Sequence, residues 1–186
     1  MEVTGIQARH IECSPLESSP GYYPPADPES MAAVNGRRDA PLIEGELSGG
    51  ATSLEDLARE ILAGLERSDE KALHSLRVTH EEFERIVWPE LPQSRPVTNI
   101  PFSEVWGFAT AQSLAGASRA IGVYGGKHLT LLRIDYSRAE PFRNFTLLRD
   151  VRILIREPVQ GRVIGLSLAP SVVERHERYK ALIFKD

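Results

Sequence analysis

The order in which two hydrophobic periods occur constrains this chain most. From Ser53 to about Gly126 apolar residues recur at helical spacing behind capping signals, and from His128 onward they alternate with a period of two. Helices followed by strands, with no helix between strands, argue against the crossovers of a parallel sheet. The pattern predicts an α+β domain in which a curled, mostly antiparallel sheet wraps the helices.

Ser53 and Asp56 form a capping pair, and Leu54, Leu57, Ile61 and Leu65 follow at helical spacing to about Arg67. A short second helix is expected over 71–76. Thr79 and Glu82 make a capping box that opens a third helix with Phe83, Ile86 and Val87 on one face. Pro89 is expected to end it by denying Trp88 a helical conformation, and the four prolines from Pro89 to Pro101 predict an extended, rigid stretch. The longest helix is expected over 102–124, with Trp106, Ala109, Ala117, Ala120, Ile121 and Tyr124 on its buried stripe and Gly125-Gly126 as a left-handed stop. Strands are expected over 128–136, 145–156, 162–169, 171–175 and 178–184. Short links between them favour hairpins, and Pro170 marks a bend or bulge.

At 186 residues and 41% hydrophobic content the chain can build one domain with a substantial core. Residues 1–50 hold Pro15, Pro20, Pro24, Pro25, Pro28 and Pro41 without a sustained period, and are expected to form a mobile tail ahead of a single domain over 51–186. Net charge divides as −5, −4 and +5 over residues 1–50, 51–126 and 127–186. Either acidic helices and a basic sheet complement one another, or the sheet offers arginines to an anionic ligand. The arginines are scattered over several strands without a stacking motif, which disfavours nucleic acid. Cys13 is the only cysteine, so an intramolecular disulfide is excluded. No apolar run is long enough to span a bilayer and the first residues lack a signal-peptide core, so a cytoplasmic location is expected as the sequence is written.

The helix-then-sheet layout over residues 53–186 resembles the nuclear transport factor two-like superfamily, whose cone-shaped domains include ketosteroid isomerases and polyketide cyclases. More narrowly, Thr79-His-Glu-Glu-Phe83, Val87-Trp-Pro-Glu-Leu-Pro92 and Tyr124-Gly-Gly126 resemble motifs of a group of uncharacterised bacterial proteins, many envelope-associated. The first resemblance implies a cone with a pocket; the second implies no particular activity, and, because the chain lacks the lipoprotein signal of that group, it implies envelope association only as the alternative location if the start codon is misplaced.

No motif names a reaction. Gly125-Gly126-Lys127 ends a helix, the wrong polarity for a phosphate cradle, and Gly116-Ala-Ser118-Arg-Ala120 lacks the second glycine of a nucleophile elbow. His10, His74, His80, His128 and His176 show no paired metal spacing, so neither metal nor cofactor is expected. The candidate ligand-binding residues are Arg149, Trp88, Trp106, Tyr124, Glu90 and Asp150; no catalytic residue is assigned. Arg149 interrupts a strand face formed by Phe145, Leu147, Val151, Ile153 and Ile155. It either projects into a cavity, with Asp135, Asp150 or Glu174 as partner, or is turned outward by a bulge. Trp88 and Trp106 wall a pocket or pack in the core, Glu90 is a general base or a ligand anchor if it points inward and otherwise a solvated turn carboxylate, and Tyr124 and Tyr179 are candidate hydroxyl donors. The expected role is a small-molecule-binding or protein-interaction module, with a cofactor-free lyase, isomerase or hydrolase as the alternative. The expected partners are an anionic or carbonyl-bearing small molecule and a second copy docked through the sheet.

Overall fold

The computed structural model describes residues 40–94, 100–157 and 161–185 of the chain. The fold is α+β. Helix α1 (Leu54–Glu66) is capped by Ser53, whose Oγ accepts from Asp56 N, and α2 (Glu70–Ser75) by Asp69, whose carboxylate accepts from Ala72 N. The capping box at Thr79 and Glu82 opens α3 (His80–Glu82), and α4 (Phe102–Tyr124) closes the helical half.

The expected break at Pro89 takes another form. A π-turn over Phe83–Val87 carries the Trp88 N–H to Phe83 O, and Trp88 itself is helical at φ −53, ψ −45. A 3-10 turn, Trp88–Glu90, then places Pro89 at a first-turn position where a missing N–H breaks no bond, and the chain leaves helical geometry at Leu91. A second 3-10 turn at Pro92–Ser94 replaces the first part of the expected extended stretch; residues 95–99 of that stretch lie outside the described residues.

Among the described residues seven strands follow: β1 (Thr130–Asp135), β2 (Arg138–Pro141), β3 (Thr146–Arg149), β4 (Arg152–Arg156), β5 (Val163–Leu166), β6 (Ser171–Arg175) and β7 (Arg178–Ile183). They form two antiparallel sheets, β1-β4-β5 and β2-β3-β6-β7. The sheets meet where consecutive strands turn a corner, and Ser137 N→Arg149 O (3.0 Å) and Val151 N→Pro170 O (3.1 Å) bond across that line. The corner in the β3–β4 segment is Asp150, left-handed at φ +52. It reverses the alternation: Leu147 enters one core cluster, whereas Val151, Ile153 and Ile155 enter the other. The single face expected from Phe145 to Ile155 is therefore two faces. β6 and β7 are joined at His176 and Glu177, both at positive φ (49 and 61), the requirement of a tight primed turn.

The larger core lies between α1, α2, α4 and β4, around Leu57, Ile61, Leu65, Ile153 and Ile155. The smaller one gathers Phe83, Val87, Phe145, Leu147 and Val173. Leu47 belongs to it at 3% exposure, and Ala40 is 1% exposed. Residues 40–50, expected as the end of a tail, thus lie against the domain as a strap; the rest of the expected tail falls outside the described residues.

Small residues bring α4 close to the β7 end. A Cβ on Gly116 would stand 2.9 Å from both the carbonyl carbon and the oxygen of Phe184, which are backbone atoms, whereas at Gly107 and Gly122 it would meet nothing within 4 Å. Ala exceeds Gly in helix propensity by about 1 kcal/mol, and overpacking costs about 1–3 kcal/mol. Gly122→Ala should therefore stabilise the protein by up to about 1 kcal/mol in urea unfolding, while Gly116→Ala should destabilise it by a similar or larger amount.

Candidate functional site

The residues singled out from the sequence fall in four places. Arg149 gives its Nε to Glu140 at 2.9 Å, and Arg138 reaches the same carboxylate, so Arg149 is an ion-pair partner on the Leu147 face of β3 with a side chain 37% exposed. Glu140, in the strand that sequence reasoning missed, holds it instead of Asp135, Asp150 or Glu174. Asp150 serves the corner: its exposed carboxylate accepts from Ser137 Oγ at 2.6 Å. Burial, then Glu174 and Glu177, push the Tyr179 phenol up from its usual range.

Trp88 and Trp106 share an aromatic cluster. Phe83 lies 6.4 Å from Trp88 and 5.4 Å from Trp106, Phe102 packs 5.8 Å from Trp88, and His80 stands edge-on to Trp106 at 5.2 Å. Both indoles are half-buried. Tyr124 is about 27 Å further along α4 at 1.5 Å per residue, too far to share a small-molecule pocket with Trp106.

Glu90 points inward and is fully buried, but its oxygens are occupied. They accept from Arg143 N (2.5 Å), Asn144 N (2.8 Å) and Asn144 Nδ2 (2.7 Å). Asn144 also accepts from Ile43 N (2.8 Å) and donates to Pro41 O (2.9 Å). Arg175 completes the knot by donating to Asn144 O, to Ile43 O and, from Nε, to Gly45 O at 2.9 Å. A second buried pair, Glu82 with Lys180, ties the strap at Ser48. These groups hold the 40–50 strap and leave little donor or acceptor capacity for a reaction.

Space with chemical character lies at the other end of α4. A cleft of about 270 Å³ between α4 and the β5–β6 link is lined by Arg119, Tyr124, Lys185 and Ser167 over a floor of Leu166 and Leu168. Lys127 reaches over the Tyr124 ring at 5.9 Å. Among the described residues its lining contains no carboxylate. A cleft of about 180 Å³ between the strap and α3 has the opposite character, with Glu44, Glu46, Glu81 and Glu82 beside Arg85.

Sequence reasoning also missed Arg77, whose side chain breaks the buried run Leu76-Arg77-Val78. It is 6% exposed, its guanidinium lies 5.6 Å from the Trp106 ring centre, and neither Nε nor Nη2 has a hydrogen-bond partner. Burial pushes its pKa down from the ordinary arginine value. A charged residue inside an apolar triplet was the available signal. Among the described residues no group of three His, Cys, Asp or Glu side chains could hold a metal ion, and no helix is long and apolar enough to cross a membrane.

No protein-family model, curated protein or solved structure matches the chain.

The strap contacts generate a prediction. Deleting residues 1–50 removes Ile43 O and Gly45 O, two of the three acceptors of Arg175, and the Ser48 donor to Glu82, whereas deleting residues 1–39 leaves them. The longer deletion should be less stable than the shorter by at least about 3 kcal/mol, since it strips partners from buried charges. Parallel denaturant melts of the two truncated proteins check this; coincident curves would show that the strap contributes nothing.

Proposed function

We propose that the protein is a small-molecule-binding module whose ligand is an anionic compound with an apolar body, taken up by the cleft between α4 and the β5–β6 link. The observation that carries this reading is the cleft's composition: Arg119, Lys185 and two hydroxyl-bearing side chains converge over leucines. Concave sites with an apolar floor and a few oriented polar groups are the usual form of small-ligand sites, although this cleft is at the small end of their range. The +5 charge of residues 127–186 contributes to the same preference for anions.

Binding is favoured over a cofactor-free lyase, isomerase or hydrolase because the three most buried carboxylates among the described residues are already occupied. Glu82, Glu90 and Glu140 each accept from two or more donors. A general base needs a lone pair free for the substrate. The order of helices before strands, with strands that turn a corner between two sheets, supports a cone of the nuclear transport factor two-like kind as the scaffold.

Anilinonaphthalene sulfonate, an anion with an apolar body, tests the reading. It should bind saturably to the native protein, and the Arg119→Glu, Lys185→Glu double variant should lose at least tenfold in affinity, about 1.4 kcal/mol, with an unchanged far-ultraviolet circular dichroism spectrum. Equal affinity for the native protein and the charge-reversed variant would overturn the assignment.

A further inference from the structure

The helical half buries a cation that no carboxylate of the described residues neutralises. Arg77 follows α2 and pairs with β7 through a single bridge to Ala181, so its backbone is fixed, and its side chain is directed toward α4. Trp106 covers the guanidinium from one side. One turn further along α4, the buried Oγ1 of Thr110 also lacks a partner, whereas the next hydroxyl on that stripe, Ser113, is fully used: it donates to Ala109 O at 2.7 Å and accepts from Phe184 N at 3.1 Å. His74, on the same segment as Arg77, leaves Nε2 unpaired; Glu70 at 3.7 Å is beyond hydrogen-bond reach. Buried polar groups are almost always satisfied, and a buried guanidinium without an anion is among the costliest exceptions. The Arg77 edge and the Thr110 hydroxyl, one helical turn beyond the Trp106 ring that the guanidinium covers, are therefore an unfilled pair of donors.

The two free atoms of Arg77 define the missing partner. Nε and Nη2 form one edge of the guanidinium, with parallel N–H bonds spaced for the two oxygens of a planar oxyanion. The site holds one formal positive charge, so a monoanion balances it where a phosphate dianion would not. From this geometry we infer that Arg77 and Thr110 form a carboxylate-binding site between the end of α2 and α4, with Trp106 as its wall. The guanidinium edge takes both carboxylate oxygens and the Thr110 hydroxyl donates to one of them. This site is separate from the cleft at the Tyr124 end of α4, and variants at Arg119 and Lys185 leave it intact.

Full-length protein titrated with sodium acetate, against sodium chloride at equal ionic strength, tests the assignment through the ¹H–¹⁵N resonance of the Arg77 Nε–H. The resonance should move downfield saturably with acetate and not with chloride. Thr110→Val, which preserves shape and removes an unpaired hydroxyl, should keep the fold and weaken acetate binding several-fold. Arg77→Met should abolish the rise in melting temperature that acetate produces in the native protein. An Nε–H resonance unmoved by acetate, or a melting response to acetate unchanged in Arg77→Met, overturns the site and leaves ordered water as the filler of the orphaned edge.

Discussion

The buried ion pair between Glu82 and Lys180 is the interaction on which the rest of the structure depends. Lys180 is 1% exposed and gives its ammonium to both carboxylate oxygens of Glu82 at 2.9 Å. Those oxygens also accept from Ser48 N (2.6 Å) and Thr79 N (2.7 Å). One carboxylate therefore closes the capping box of α3, fastens the strap and neutralises a cation on β7. Buried pairs gain little over a well-packed apolar substitute, but removing one partner leaves an uncompensated charge at a cost of about 3–5 kcal/mol. Three separate parts of the chain are thereby made conditional on one another.

The strap geometry follows from that pair. Gly50 lies over Lys180 at φ +82, where a Cβ would stand 2.9 Å from Lys180 Cγ and 3.0 Å from Tyr179 O, so both conformation and space require glycine. Directly after it, Ala51 exchanges backbone bonds with Tyr179, and Val78 donates to Ala181 O at 2.9 Å. These two short segments cover the outer edge of β7, which would otherwise offer unpaired backbone groups to another chain. The Glu90, Asn144 and Arg175 knot fixes the other half of the strap, so its carboxylate and guanidinium serve architecture.

Helix α4 carries both proposed sites. Its inner stripe narrows to Gly116 and Ala117 against Phe184, and its two ends open onto different chemistry: an aromatic wall beside Arg77 and a basic cleft beside Tyr124. Tight packing at the middle holds both ends in register with the sheet. Of the residues first suspected, Trp106 and Tyr124 lie at these two places, while Arg149, Asp150 and Glu90 are occupied by partners within the fold.

The sequence by itself determined the helix starts, the long helix from Phe102 to Tyr124, the period-two region and the antiparallel hairpins. Those depend on capping side chains, hydrophobic spacing and turn residues within a few positions of one another. It also made the α+β class legible from the order of the two periods. Tertiary structure alone decided which charges are buried and with whom, because the partners are remote: Glu82 meets Lys180 across 98 residues and Ile43 meets Asn144 across 101. The left-handed turn at Asp150, a single backbone angle, moved Val151 and Ile153 to a different core from Leu147, and so no face count along that segment could place Arg149. Arg77 shows the same limit: an arginine between two apolar residues is a signal in the sequence, but only the fold brings it over Trp106 with Nε and Nη2 lacking a partner among the described residues.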